Sequence, residues 1–72
     1  MLTFCITVPF CSLSKSTQLL TDSGFDISYY TNKDVDYLNE EDIYIRCKRH
    51  EFKDAKKLLE QNQVEIIETA II

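Results

Sequence analysis

The feature that most constrains the fold is a series of four sequence patterns that occurs twice, in the same order, along the chain. Each half has an alternating strand-like segment, a helical segment with a Leu-Leu pair, a helix stop and a second strand-like segment. The leucine pairs end at Leu20 and Leu59, and the predicted stops are Gly24 and Asn62. With one glycine and one proline in 72 residues, we expect a single domain, residues 1–72, built mostly from regular elements.

The two periods place the predicted elements along the chain. A period of two predicts strands at 2–8, 25–31, 42–48 and 64–71. A period near 3.6 predicts one helix from Ser12 or Ser14 to about residue 23 and another at 51–61. Residues 32–41 are polar and acidic, and are predicted to connect the second and third strands as a long hairpin.

The alternation of apolar and polar positions in the four predicted strands supports one arrangement of strands and helices. The inward positions of all four strands can face the apolar stripes of both helices. Two βαβ units joined by a hairpin then form the split βαβ arrangement. The sequence therefore predicts an α+β fold, the ferredoxin-like βαββαβ plait, with an antiparallel four-stranded sheet and both helices on one face.

The opposite face of the sheet is predicted to expose apolar surface that no element of the chain can cover. Continued alternation would place Tyr30, Tyr44, Ile67 and Ile71 on it. The fourth strand is also an edge in this fold, and it contains neither proline nor lysine to discourage pairing. We expect a homodimer or a partner protein to dock there, the alternative being an end strand that is frayed or covered by the C-terminus.

Charge favours protein partners over nucleic acid. The formal net charge is −4, which disfavours general binding to phosphate backbones. A cluster of cations between residues 46 and 57 is either a solvated face or a local basic patch that meets an acidic partner or an anion. An RNA-binding sheet like that of an RRM would use Tyr30, Tyr44 and Arg46, but the aromatic motif of its third strand is missing.

No pattern predicts a catalytic, metal or cofactor site. Cys5, Cys11 and Cys47 are odd in number and form no CxxC pair, so we expect free thiols in a reducing cytoplasmic location rather than nucleophiles or metal ligands. His50 has no acid–base partner nearby in sequence. Residues 1–11 are too short for a membrane span and have no basic leader, so neither a membrane segment nor a signal peptide is expected.

Two stretches carry a resemblance to a known family. Residues 6–27, with Leu13, Leu20 and the run Ser-Gly-Phe-Asp-Ile at 23–27, resemble the opening of an ACT domain. Residues 43–66, with Ala55 followed by the second leucine pair, resemble its second half and are also similar to small PII-related signal-transducing proteins. The resemblance implies a sensor or regulatory module that pairs through its sheets and often ligates an amino acid. The loop at 9–12 lacks the glycine and the carboxylate of amino-acid-binding members, so no ligand residue is carried over.

These observations together predict a non-enzymatic regulatory or interaction module that works through a sheet-mediated dimer or partner interface. A small metabolite, bound between the first loop and the second helix, is a candidate effector. The alternatives are a small inhibitor or adaptor that binds a partner protein, and an RRM-like RNA binder.

Overall fold

A computed structural model describes residues 1–30 and 40–72, except for the side chains of Tyr29 and Tyr30. The elements in these ranges are β1 (Leu2–Pro9), a 3-10 turn (Phe10–Ser12), α1 (Leu13–Asp22), β2 (Asp26–Tyr30), β3 (Glu40–Cys47), α2 (Arg49–Gln61) and β4 (Glu68–Ile71). Most of the predicted hairpin connection therefore lies outside the described residues.

The four strands found in this part of the chain form one sheet in the order β2-β3-β1-β4, and every neighbouring pair is antiparallel. This order confirms the predicted ferredoxin-like plait. β1 and β3 are central because each is flanked on both sides, whereas β2 and β4 are the edges.

The core lies between the sheet and the two helices. Phe4 and Ile6 of β1 are paired with Ile45 and Ile43 of β3, so these four side chains share the helix-facing side. All four are almost completely buried, and they pack in one cluster with helix residues. The helix residues of this cluster are Leu20, Ala55 and Leu59. Alternation therefore predicted the buried side of β1 and β3 correctly.

Both helices end in the same hydrogen-bonded stop. At the end of α1, the N–H of Phe25 donates to the carbonyl of Leu20 (3.0 Å), and the N–H of Gly24 donates to that of Thr21 (3.0 Å). These are the two bonds of a Schellman motif, in which the residue after the cap adopts the left-handed conformation. Gly24 has φ +88°, as predicted.

The stop of α2 differs from the prediction by one residue. Val64 and Gln63 donate to the carbonyls of Leu59 and Glu60, both at 3.0 Å, so Gln63 takes the left-handed position with φ +64°. The prediction of Asn62 for this position is wrong, because Asn62 is the cap itself, with φ −99°. Its side-chain amide instead donates to the carbonyl of Leu58 at 2.8 Å.

The fourth strand is shorter than predicted, and its alternation of side chains between the two faces of the sheet is interrupted. Ile66 packs against the core, and β4 begins only at Glu68. The N–H of Ile67 donates to the carbonyl of Thr7 (2.8 Å), and Thr7 is also the ladder partner of Glu68. Two residues thus oppose one, which is the arrangement of a β-bulge.

The bulge reverses the side on which the rest of β4 faces. Beyond it, Ile71 pairs with Phe4 and Thr69 with Ile6, so both lie on the helix-facing side of the sheet. The prediction that Ile71 lies on the opposite face is therefore wrong. Strict alternation through residues 64–71 cannot anticipate an extra residue in the ladder.

Candidate partner-binding site

The four residues predicted for the interface do not form one surface. Tyr44 pairs with Cys5 and Ser28 on the open face of the sheet, as predicted, and its side chain is half-buried. Ile67 lies at the bulge, and Ile71 lies on the other side of the sheet, next to α2. The side chain of Tyr30 lies outside the described residues. Of the predicted set, Ile67 and Ile71 remain together as parts of one edge.

The β4 edge is apolar and exposed. Every residue of β4 is exposed, and the strand has a ladder partner only on its β1 side within the described ranges. The exposed fractions of Ile67, Ile71 and Ile72 are 41%, 53% and 70%. These three aliphatic side chains surround a strand that presents unpaired main-chain groups, which is a template for pairing with another chain.

The hydrogen-bond pattern shows which main-chain groups of β4 point outward. The N–H of Ile72 donates to the carbonyl of Thr3 at 2.9 Å. Because bonded and non-bonded pairs alternate in an antiparallel ladder, Ala70 also bonds toward β1, opposite Cys5. The N–H and C=O groups of Thr69 and Ile71 therefore point away from β1, toward the open edge.

A cleft of about 500 Å³ lies between α2 and β4, directly beside this edge. Its floor contains the rings of Phe4 and Phe52, which are stacked with centroids 4.1 Å apart and planes 9° apart. Residues 69–71 form one side of the cleft. An apolar floor next to open backbone donors and acceptors can receive both the side chains and the main chain of an added strand.

The other side of the cleft is basic. Arg49, Lys53 and Lys56 line it, at positions i, i+4 and i+7 of α2, and among the described residues no Asp or Glu lines the cleft. The Nζ of Lys56 lies 5.8 Å from the ring centroid of Phe52, so this cation also contacts the aromatic floor. The sequence offered a local basic patch at residues 46–57 as one of two interpretations, but it did not show which of these cations line a cleft.

The open face of the sheet has a different character. Thr7 is flanked by Asp42 on β3 and Glu68 on β4, and its hydroxyl donates to the Asp42 carboxylate at 2.7 Å. Asp26 pairs with Arg46 nearer the β2 edge. Carboxylates thus outnumber cations at these positions, which disfavours contact with a phosphate backbone.

The cysteines have the properties of structural residues. Burial, and secondarily the charge of Asp42, raises the pKa of the Cys5 thiol, and burial likewise raises the pKa of Cys47. A raised pKa keeps the thiol protonated and lowers its nucleophilicity. Cys11 is exposed, and all three thiols are free.

The described residues hold neither a cluster of metal-ligating side chains nor a helix that could span a membrane. Residues 1–30 and 40–72 contain no group of three or more Cys, His, Asp or Glu side chains that could hold a metal ion. None of their helices is long and apolar enough to cross a membrane. His50 lies exposed in the first turn of α2.

Comparison with models of known protein families and with curated protein sequences finds no match.

Proposed function

We propose that this chain is a non-enzymatic interaction module that binds a partner protein by strand addition at β4. One observation carries the proposal: Thr69 and Ile71 direct their main-chain groups outward from an exposed edge that is flanked by aliphatic side chains. Main-chain bonds would supply affinity there, and the adjacent cleft would supply selectivity. The resemblance to ACT and PII-related modules supports a regulatory purpose for such binding.

A second copy of the chain is the weaker candidate for the occupant of the edge. Antiparallel pairing of two β4 strands about a two-fold axis would place both α2 helices on the same side of the joined sheet. The basic sides of the two clefts, each with Arg49, Lys53 and Lys56, would then face each other across the junction. Like charges that approach in this way oppose association, so charge favours a different protein over self-pairing.

We also propose that the chain is cytoplasmic and that it does not bind RNA. Three free cysteines, two of them buried, support a cytoplasmic location, where thiols stay reduced. The acidic open face argues against the RNA-binding alternative.

Site-specific photo-crosslinking followed by reconstitution tests the proposal. A photoreactive residue at position 69, on the edge, is compared with one at position 28, on the β2 strand, in cells that make the protein. The partner crosslinked from position 69 is then purified, and its affinity for the parent chain and for Thr69→Pro is measured. Proline at 69 removes an outward N–H and leaves the bonds to β1 intact, so we expect affinity to fall about tenfold or more.

Two results would contradict strand addition at β4. One is equal affinity of the purified partner for the parent chain and Thr69→Pro, provided both have the same circular dichroism spectrum. The other is crosslinking from position 28 and none from position 69. A crosslink from position 69 to a second copy of the chain would support the edge as the interface and identify a homodimer.

A further inference from the structure

We infer that the cleft between α2 and β4 selects an extended peptide segment whose acidic and aliphatic side chains share one face of the strand, at every second position. This inference rests on the proposed function, because it assumes that the segment pairs with the β4 edge. It adds the chemistry of the occupant, which the edge alone does not define.

The dimensions of the basic side suit a strand. Arg49 and Lys56 lie seven positions apart in α2, which corresponds to about 10 Å along the helix axis. Side chains on one face of a strand recur about every 7 Å. Two successive side chains on the helix-facing side of an added strand can therefore both contact cations of the basic side. Carboxylates are the side chains that gain most from these contacts.

The floor of the cleft adds an apolar requirement. The stacked rings of Phe4 and Phe52 and the side chain of Ile71 provide apolar surface beside the cations. A volume of about 500 Å³ exceeds the space of one short carboxylate side chain and lies within the range of small-ligand pockets. A helix-side aliphatic residue next to an acidic one would fill the floor while the carboxylate reaches the cations.

The open-face side of β4 determines which residues are accepted at the other positions of the added strand. Glu68 and Ala70 lie on the open face, where they pair with Thr7 and Cys5. An added strand would place its intervening side chains next to Glu68, so acidic residues are disfavoured there and small neutral or basic ones are accepted. The occupant is thus acidic on one side of the strand only, and not a uniformly acidic tail.

A peptide selection tests this inference directly. A displayed library of random peptides of about 10 residues, longer than a typical strand, is selected on the intact chain. We expect the enriched peptides to carry their Asp or Glu residues and their aliphatic residues on the same set of every-second positions, with small neutral or basic residues between them. Their affinities are then measured by fluorescence anisotropy at fixed ionic strength.

Charge reversal provides a matched pair of variants. Lys53→Glu with Lys56→Glu should weaken the selected peptide about tenfold, and replacing its carboxylates by lysine should restore binding to that variant. The control is Lys15→Glu with Lys57→Glu, which changes the net charge equally but alters cations that do not line this cleft. We expect the control to change the affinity by less than about threefold.

The outcomes separate the two proposals. Selected peptides that need the Thr69 N–H but show no periodic acidic residues overturn this inference and leave strand addition standing. Peptides that bind Thr69→Pro as well as the parent chain overturn both. The acidic-strand occupant would be overturned by equal losses of affinity in the two charge-reversal variants, or by an absence of enriched peptides. It would also be overturned if the chain, tested in parallel against phosphatidylglycerol vesicles and single-stranded RNA, bound only one of these.

Discussion

Gly24 and Gln63 occupy the same position in two equivalent helix stops, and both have left-handed backbone, with φ +88° and +64°. Each follows the cap residue of its helix, and each is followed by an apolar residue that bonds back to a buried leucine. Only the first stop uses the residue type for which this conformation has no steric cost. The stop of α2, at Gln63, therefore contains backbone strain that the stop of α1 lacks.

Exchange of the residue types at the two stops should change stability in opposite directions. A Cβ at Gly24 would meet no atom within 4 Å, so Gly24→Ala adds backbone strain alone and should lower the free energy of unfolding by about 1 kcal/mol. Gln63→Gly should raise it by up to about 1 kcal/mol, reduced by the greater freedom of glycine in the unfolded chain. Urea unfolding measures both. A stabilising Gly24→Ala or a clearly destabilising Gln63→Gly would contradict the assignment.

Ser16 offers a second stabilising substitution. It is fully buried on the face of α1 that also carries Leu20, and its hydroxyl has no hydrogen-bond partner in the part of the chain that the structure describes. Ser16→Ala should raise the free energy of unfolding by about 1 kcal/mol or more, because it removes a buried polar group. Ser14→Ala, at an exposed position of the same helix, is the control for helix propensity alone. Equal effects of the two substitutions would show that burial of the hydroxyl has no cost.

The two buried thiols predict a loss of stability at alkaline pH. The pKa values of Cys5 and Cys47 are raised from the ordinary value of 9.0, so above that pH the unfolded chain has lost these protons while the folded chain still holds them. The stabilisation is complete below pH 9.0 and declines as pH rises through the folded pKa values. The free energy of unfolding should therefore fall above this pH.

A variant isolates the thiol contribution from that of the other titrating groups. Cys5→Ala with Cys47→Ala should lower stability near neutral pH through lost packing, but should lose less of it between about pH 7 and pH 10 than the parent chain. Cys11→Ala, which changes an exposed thiol, is the control and should keep the pH dependence of the parent. Parallel pH profiles for the parent and the double variant would contradict the assignment.

The plait could be predicted from sequence because its main signals are local. The alternation of β1 and β3 follows directly from which side chains face the helices, and the register confirms it. The stop of α2 could also have been predicted correctly. The apolar pair Leu59 and Val64 is five residues apart, as Leu20 and Phe25 are, and this spacing identifies Gln63 rather than Asn62.

The exposed edge of the fourth strand could be predicted, but the cleft beside it could not, because the cleft depends on contacts between distant segments. The bulge at Ile67 has no sequence signature beyond two adjacent isoleucines, yet it determines that Ile71 faces α2. The spacing of Arg49, Lys53 and Lys56 indicates one side of a helix but not its neighbour. The basic side of α2 lies next to an open sheet edge only because β4 pairs with β1 in the folded chain.

The measurement that tests the central claim most directly is residue-resolved amide hydrogen exchange along β4. In the free chain, the amides of Thr69 and Ile71 should exchange much faster than those of Ala70 and Ile72, which bond to β1. When the partner identified by crosslinking is bound, Thr69 and Ile71 should become protected by about tenfold or more, while Ala70 changes less. Unchanged exchange at Thr69 and Ile71 in a saturated complex would contradict strand addition at this edge.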